Sequence, residues 1–176
     1  TRFRNEHPGV EIRLEVSANR EQLAKLLKNG EVDLEIMGRP PRELVTRAEP
    51  FAAHPHVFVA PPGHPLLRAG PSPVRVLENV PLIAREGASG NRALMDRFFQ
   101  HHRLEPRIEM EMPSNETIKQ AVMAGMGISF LSLHTLGLEL RTGELELLQI
   151  EDTPVMRLWN VVRLQSRVLS PAAEAF

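Results

Sequence analysis

Strand-like and helix-like hydrophobic patterns alternate along this chain, which is typical of an α/β fold. Residues 10–16, VEIRLEV, place an apolar side chain at every second position and predict a half-buried strand. REQLAKLLKNG follows, with leucines at helical spacing and Gly30 where a helix C-cap glycine is expected. Residues 32–37, VDLEIM, predict the next strand. Strand, helix and strand in this order predict a βαβ unit with parallel strands.

The same alternation recurs beyond two proline-rich stretches. GRPPRELVTRAEPFAAHP predicts an irregular connection, and PPGHPLLRAGPSP predicts the crossing into a second lobe. The further elements predicted by pattern are strands at 57–60, 81–84, 108–112, 128–131, 145–150 and 156–164, and helices at 91–102, at 113–127, near 135–140 and from Pro171 onward. We therefore expect an α/β fold with lobe I at 1–62, lobe II at 63–149 and a return to lobe I at 150–176.

Composition excludes several classes of function. A net charge of −1 and a pI near 6.6 provide no overall attraction to nucleic acid or to anionic lipid. The absence of cysteine excludes disulfides, thiolate catalysis and cysteine-ligated metal centres. No apolar run approaches the roughly 20 residues that span a bilayer. The chain therefore has the composition of a globular domain that does not itself bind DNA or cross a membrane.

Polar loops follow several of the predicted strands. In open parallel sheets ligands bind beyond the carboxyl ends of the strands, where helix N-termini attract anions. The loop residues that we predict to bind a ligand are Asn19, Arg20, Gly38 and Arg39 in the first lobe, and Glu86, Ser89, Gly90, Asn91, Arg92, Ser114, Asn115 and Glu116 in the second. Arginines near helix starts favour a phosphate or carboxylate ligand.

Each loop also has a simpler explanation. Serine, asparagine and glycine are ordinary helix caps, and Glu116 suits the dipole of a first helical turn. The co-occurrence of several such loops with nearby arginines favours binding. GASGNR lacks both the G-x-G-x-x-G spacing and the P-loop lysine, so it is not a nucleotide fingerprint.

The sequence predicts no catalytic residue and no metal site. His134 suits a capping or ligand-orienting role better than that of a general base, and with Ser132 it completes the predicted ligand-binding set. His54 and His56 lie in a proline-rich connection, without a spacing that recurs in metal sites. No serine has a G-x-S-x-G setting. A stripe of large apolar residues in the helix at 91–102 fits either core packing or a subunit interface.

Several runs of residues resemble a known family. HPGV before the first strand, IMGRPP, MEMPSNETIKQAVMAGMGISFLSLHT and the final LSPAAEAF resemble the effector-binding region of LysR-type transcriptional regulators. The resemblance is to the branch that activates Calvin-cycle carbon-fixation operons, and it extends over nearly the whole chain, from Phe3 to Phe176.

The resemblance implies a type II periplasmic-binding-protein-like fold, in which crossing strands join two α/β lobes with a cleft between them. It implies an effector in that cleft, either a phosphorylated or carboxylated metabolite or NADPH, and no resident cofactor. The implied partners are DNA, bound through an N-terminal winged helix-turn-helix that these residues do not include, a second or further copy in a homodimer or homotetramer, and RNA polymerase. The implied location is the cytoplasm, with no membrane contact.

Two departures from that branch bear on the site. The first strand of lobe I and its loop are absent from these residues, and GASGNR stands where the branch has GSGTR, so that Asn91 replaces a threonine hydroxyl. The main alternative function is a periplasmic solute-binding protein of an ABC transporter. A two-lobed enzyme of related architecture is the third.

Overall fold

The computed structural model describes residues 2–17 and 20–176, apart from the side chain of Arg20. The helices are α1 (Arg2–Glu6), α2 (Arg20–Asn29), α3 (Pro65–Arg68), α4 (Gly90–His101), α5 (Asn115–Met123), α6 (Gly137–Thr142) and α7 (Pro171–Ala175). The strands are β1 (Glu35–Met37), β2 (Thr46–Ala60), β3 (Leu82–Arg85), β4 (Ile108–Met112), β5 (Ser129–Ser132), β6 (Glu146–Leu147) and β7 (Val155–Leu164). Short 3-10 helices occupy Val74–Asn79 and Leu133–Thr135.

The chain divides into two compact units. Unit 1 comprises Thr1–Ala52 and Trp159–Phe176, and unit 2 comprises Ala53–Leu158. Strands β2 and β7 each begin in one unit and end in the other, so the prediction of strands that cross between two lobes is confirmed. The limits predicted from composition, after residues 62 and 149, both lie inside unit 2.

Unit 2 is built on a parallel strand pair and an antiparallel one. β3 and β4 pair in parallel, as predicted for a βαβ unit, with α4 as the crossover between them. The second half of β2 pairs antiparallel with β5, from His56 opposite Ser132 to Val59 opposite Ser129. The apolar stripe of α4 belongs to the core of unit 2 and includes Phe98 and Phe99, which confirms the interpretation of that stripe as core packing.

Helix α5 packs on the same unit and holds a buried ion pair. Ile118 and Val122 are buried in a second apolar cluster, at the helical spacing that predicted this helix. Between them Lys119 donates to the Glu139 carboxylate at 2.7 Å and to the Thr135 carbonyl at 3.2 Å. This cation therefore ties α5 to α6 and to the 3-10 helix that precedes it.

Unit 1 departs from the predicted βαβ arrangement. Helix α2 forms as predicted, and β1 pairs antiparallel with the second half of β7. Residues 10–16 form no strand, and Ile12, Leu14 and Val16 are 48%, 86% and 87% exposed, so the prediction of a half-buried strand is wrong. Alternation defines an apolar face, but a strand also needs a hydrogen-bonded neighbour, and no described residue pairs with this segment.

Strand β2 is longer than the sequence predicted. It begins at Thr46, inside the stretch that was expected to be irregular because of Pro50 and Pro55. Proline is tolerated in a strand where its nitrogen is not needed for pairing. The pairing of β2 with β5 starts only at His56, just after the second proline. The predicted strand at 145–150 is shorter than expected, because the strand covers Glu146–Leu147 and Ile150 makes a separate bridge to Ser72.

Candidate functional site

The loop before α4 is anchored to the core of unit 2. Ser89 caps the helix by accepting a hydrogen bond from the Asn91 backbone N–H at 3.2 Å, and its side chain is buried. The Asn91 amide nitrogen donates to the Phe130 carbonyl at 2.9 Å. The Asn91 Oδ1 atom is buried and has no hydrogen-bond partner among the described residues. A buried acceptor without a donor costs free energy, and a ligand with a hydroxyl or N–H group would satisfy it.

The guanidinium of Arg92 is paired with carboxylates of unit 2. Its guanidinium donates to Asp96 at 2.9 Å, to the Arg85 carbonyl at 3.2 Å and to Glu111, and its side chain is 15% exposed. Burial acts to lower the pKa of Arg92, but the hydrogen bonds to Glu111 and Asp96 outweigh burial and raise it. Arg92 is therefore already neutralised by two carboxylates of α4 and β4.

A second arginine organises the loops that follow β3 and β4. Arg85 binds both carboxylate oxygens of Glu86, at 2.8 and 2.9 Å, and donates to the Asn115 Oδ1 atom at 3.0 Å. The hydrogen bond from Arg85 lowers the pKa of Glu86 below its ordinary value. The structure thus brings Glu86 and Asn115 together through Arg85, which lies between the predicted strand and the predicted loop and was not considered as a site residue.

The start of α5 has the ordinary features of a helix N-terminus. Ser114 accepts a hydrogen bond from the Thr117 backbone N–H at 3.2 Å, and its hydroxyl lies 3.0 Å from the Thr117 hydroxyl. Glu116 pairs with Lys119 at 2.8 Å. Capping and an intrahelical ion pair therefore account for both predicted residues.

Ser132 and His134 contact the beginning of unit 2. The Ser132 Oγ atom lies 2.9 Å from His54 Nε2, in a buried hydrogen bond between β5 and β2. The His134 Nε2 atom donates to the Ala53 carbonyl at 2.9 Å, and its side chain is exposed. These two predicted residues therefore both lie next to His54.

The structure groups three imidazoles here, two of which the sequence did not predict. The ring centroids of His54 and His56 are 4.3 Å apart, and those of His54 and His134 are 6.0 Å apart. His54 and His56 are buried, and the prolines around them had indicated a loop. Their spacing of two residues could have predicted that the two rings lie together, because residues i and i+2 of a strand lie on one face.

Arg157 on β7 completes this group and was also missed by the sequence. Its guanidinium donates to the Gly90 carbonyl at 3.2 Å, which places it at the start of α4. Its charge acts on both buried imidazoles and lowers their pKa. We call His54, His56, His134 and Arg157 the histidine–arginine cluster.

Burial is the main reason why the imidazoles of His54 and His56 are neutral. It lowers the pKa of His54 to about 3, with further lowering by the charges of His56, Arg157 and His134. Burial also lowers the pKa of His56 to about 4, against the raising effect of its bond to the His54 carbonyl. The imidazoles of His54 and His56 are therefore neutral near pH 7, beside the positively charged guanidinium of Arg157.

The described residues contain no group of three or more histidine, aspartate or glutamate side chains that could hold a metal ion. The three imidazoles of the cluster are thus not arranged as metal ligands. Within the described ranges, no helix is long and apolar enough to cross a membrane.

The residues predicted for the first lobe lie in unit 1. Asn19 and the side chain of Arg20 lie outside the described residues. Gly38 and Arg39 directly follow β1, and Arg39 is exposed. The notable group in this unit is Glu35, which is 4% exposed, and neither carboxylate oxygen has a hydrogen-bond partner among the described residues. Burial raises the pKa of Glu35 to about 7.

Comparison with known proteins gives consistent relatives. The family described as LysR substrate binding domain matches residues 1–176. The chain is 52% identical over 169 residues to the HTH-type transcriptional regulator CfxR of Cupriavidus necator, covering 96% of this chain and 53% of that protein. It is 42% identical over 174 residues to a RuBisCO operon transcriptional regulator of Allochromatium vinosum, covering 99% and 57%. The chain thus spans about half the length of these relatives.

A solved structure supports the same assignment. The Synechocystis PCC6803 CcmR regulatory domain, in complex with 2-PG, superposes with a TM-score of 0.93 at 38% identity, covering 99% of this chain and 84% of that one.

This chain belongs to the LysR substrate-binding domain family. The resemblance seen in the sequence, including its carbon-fixation branch, and the expected type II periplasmic-binding-protein-like fold are confirmed. Because these relatives are named as transcriptional regulators, the transporter alternative is not favoured.

Proposed function

We propose that this chain is the effector-sensing region of a LysR-type transcriptional regulator that controls carbon-fixation genes, and that its effector is a small anion bound at the histidine–arginine cluster. The observation that carries the proposal is the convergence of Arg157 with three imidazoles from other segments of unit 2. No carboxylate is among the groups that act on the two buried imidazoles in the described part of the chain. The guanidinium charge of Arg157 therefore favours an anionic ligand over a cationic one at this cluster.

The polar atoms around the cluster favour a phosphorylated or carboxylated metabolite that also carries a donor. Arg157 supplies the charge, Ser132 and His134 supply hydrogen bonds, and the unsatisfied Asn91 Oδ1 atom fits a ligand hydroxyl. The 2-PG found with the CcmR regulatory domain is an effector candidate of this class. NADPH remains a second candidate. Two charge-assisted hydrogen bonds, at about 1.5–3 kcal/mol each, sum to about 3–6 kcal/mol, which fits an affinity of roughly tens of micromolar to a few millimolar.

The proposed function is binding without chemistry. Ser132 and His54 lie within hydrogen-bond distance, which is the geometry of a nucleophile and its base. A pKa of about 3 makes His54 a poor base near neutral pH, because an effective general base titrates close to the working pH. We therefore propose that the pair positions the imidazole and that the domain binds its effector without catalysis.

The remaining parts of the assembly follow from the family. We propose that a winged helix-turn-helix elsewhere in the protein binds DNA, that the protein works in the cytoplasm as a homodimer or homotetramer, and that it contacts RNA polymerase. The effector changes transcription only if it binds two arrangements of the protein with different affinity.

A panel of metabolites tests the proposal directly. We expect at least one of 2-PG, ribulose bisphosphate, phosphoglycerate, phosphoenolpyruvate and NADPH to raise the melting temperature of the full-length protein, and glucose to leave it unchanged. Arg157→Ala should remove most of the shift. Arg107→Ala should retain it, because the exposed guanidinium of Arg107 pairs with Glu109, away from the cluster. No shift with any of these anions would refute the proposal.

A further inference from the structure

Lys119 on α5 is buried, although lysine is among the residues least often found inside a protein. Its ammonium group lies 2.7 Å from Glu139 Oε1 on α6, 2.8 Å from Glu116 Oε1 and 3.2 Å from the Thr135 carbonyl oxygen. An ammonium group has three donors, and these three acceptors use all of them. Lys119 therefore joins α5, α6 and the 3-10 helix at Leu133–Thr135.

The buried pair of Lys119 and Glu139 is charged on both sides. Burial acts to lower the pKa of Lys119, but the hydrogen bonds to Glu116 and Glu139 outweigh burial and raise it. The hydrogen bond from Lys119 lowers the pKa of Glu139. A buried ion pair contributes little net stability, because the desolvation of two charges offsets their attraction, and an apolar pair of similar volume is often as stable. What an apolar side chain could not replace is the directional hydrogen bond to the Thr135 carbonyl.

This hydrogen bond leads to two residues of the proposed effector site. We call residues 132–135 the Ser132–Thr135 segment. Within it, the Thr135 hydroxyl donates to the Ser132 carbonyl at 2.8 Å. The side chains of Ser132 and His134 each bond to β2 at 2.9 Å. The segment is thus bonded to β2 through its site residues and to Lys119 through its last carbonyl.

From these contacts we propose that Lys119 is a positioning residue of the effector site, which holds Ser132 and His134 in place through the Thr135 carbonyl. The three donors of Lys119 are already used, so it acts through the segment rather than by touching the effector. The inference rests on the proposed function, because it concerns the same site. It adds to that site a residue that lies outside every loop predicted to bind the ligand.

A double substitution separates positioning from stability. Lys119→Met/Glu139→Leu replaces the ion pair with apolar side chains, so the free energy of unfolding in urea should stay close to that of the unmodified protein. The bond to the Thr135 carbonyl is lost. Hydrogen–deuterium exchange of the full-length protein should therefore become faster in the peptide that covers residues 132–136 and stay unchanged in peptides from β3 and β4. The affinity for 2-PG should fall by roughly 2- to 30-fold.

Two further variants accompany this one. Arg107→Gln/Glu109→Gln is the matched control, because it also removes one cation and one carboxylate, but from an exposed ion pair. It should leave the stability, the exchange and the affinity for 2-PG unchanged. Thr135→Val keeps the buried ion pair and removes the hydroxyl that bonds to the Ser132 carbonyl. It should also speed the exchange of residues 132–136 and weaken 2-PG binding.

Unchanged exchange at residues 132–136 in the double variant would overturn the inference, and so would faster exchange with an unchanged affinity for 2-PG. Faster exchange throughout unit 2 would also overturn it, because the role of Lys119 would then be structural only. If the double variant does not fold, the same outcomes in Thr135→Val decide. The exchange measurement needs no ligand, so a failure of the whole metabolite panel to bind refutes the proposed function, whereas faster exchange confined to residues 132–136 still supports the positioning of this segment by Lys119.

Discussion

The buried carboxyl group of Glu35 should make the stability of unit 1 depend on pH. Glu35 lies on β1 opposite Val162 of β7, on the face that also buries Met37. Neither of its oxygens has a hydrogen-bond partner among the described residues, so nothing described offsets the desolvation of the charge. Replacement by glutamine removes the charge and keeps the shape.

The magnitude follows from the pKa of Glu35, which burial raises from 4.5 to about 7. The folded state therefore holds a proton that the unfolded state has lost, and stability falls as pH rises through this window. The 2.5-unit difference corresponds to about 3 kcal/mol, at about 1.4 kcal/mol per unit. Below pH 4.5 this term is absent, and above pH 7 it is constant.

Urea unfolding between pH 4.5 and 8 measures this term. The stability of Glu35→Gln relative to the unmodified protein should rise by about 3 kcal/mol across the range, because the variant lacks the titrating group. Glu31→Gln is the control, since Glu31 is exposed and bonded to Asn29, and its relative stability should stay flat. A pH-independent difference for Glu35→Gln would refute the reasoning.

Two further substitutions test the packing of unit 2. Lys119→Met should lower the free energy of unfolding in urea by about 3 kcal/mol, because it leaves the buried Glu139 carboxylate without its cation. Lys119→Met/Glu139→Leu should recover most of this loss, and a loss below about 1 kcal/mol for the single change would contradict the reasoning. Gly127→Ala should lower the stability by roughly 2 kcal/mol or more, since a Cβ atom there would lie 2.5 Å from the Pro81 carbonyl oxygen. Gly87→Ala, where the space is open, should be nearly neutral when both variants are compared by urea unfolding, and equal losses would count against the steric clash.

The sequence predicted unit 2 better than unit 1. Local hydrophobic periodicity predicts helix α4, and the right-handed crossover rule predicts the parallel pairing of β3 with β4. Neither prediction requires knowledge of distant contacts. The strand predicted at 10–16 was wrong because hydrophobic alternation does not supply a pairing neighbour. Strand β2 was underestimated because Pro50 and Pro55 indicate a loop locally, although both precede the residues that pair with β5.

In the candidate site, too, local features were predictable from the sequence and contacts between distant segments were not. The cap at Ser89 was predictable, because capping is a local interaction. The role of Arg92 was not, since its partner Glu111 lies on another element. His54 and Arg157 meet only after the chain has folded, and no spacing in the sequence connects two residues so far apart.

The proposed function depends on the binding of an anionic metabolite at the histidine–arginine cluster. Isothermal titration of 2-PG into the full-length protein tests it most directly, with Arg157→Ala and Arg107→Ala measured beside the unmodified protein. We expect saturable binding that Arg157→Ala weakens by about 10- to 100-fold, the equivalent of one charge-assisted hydrogen bond, and that Arg107→Ala leaves unchanged. If 2-PG binds Arg157→Ala as tightly as the unmodified protein, the anion does not bind at this cluster.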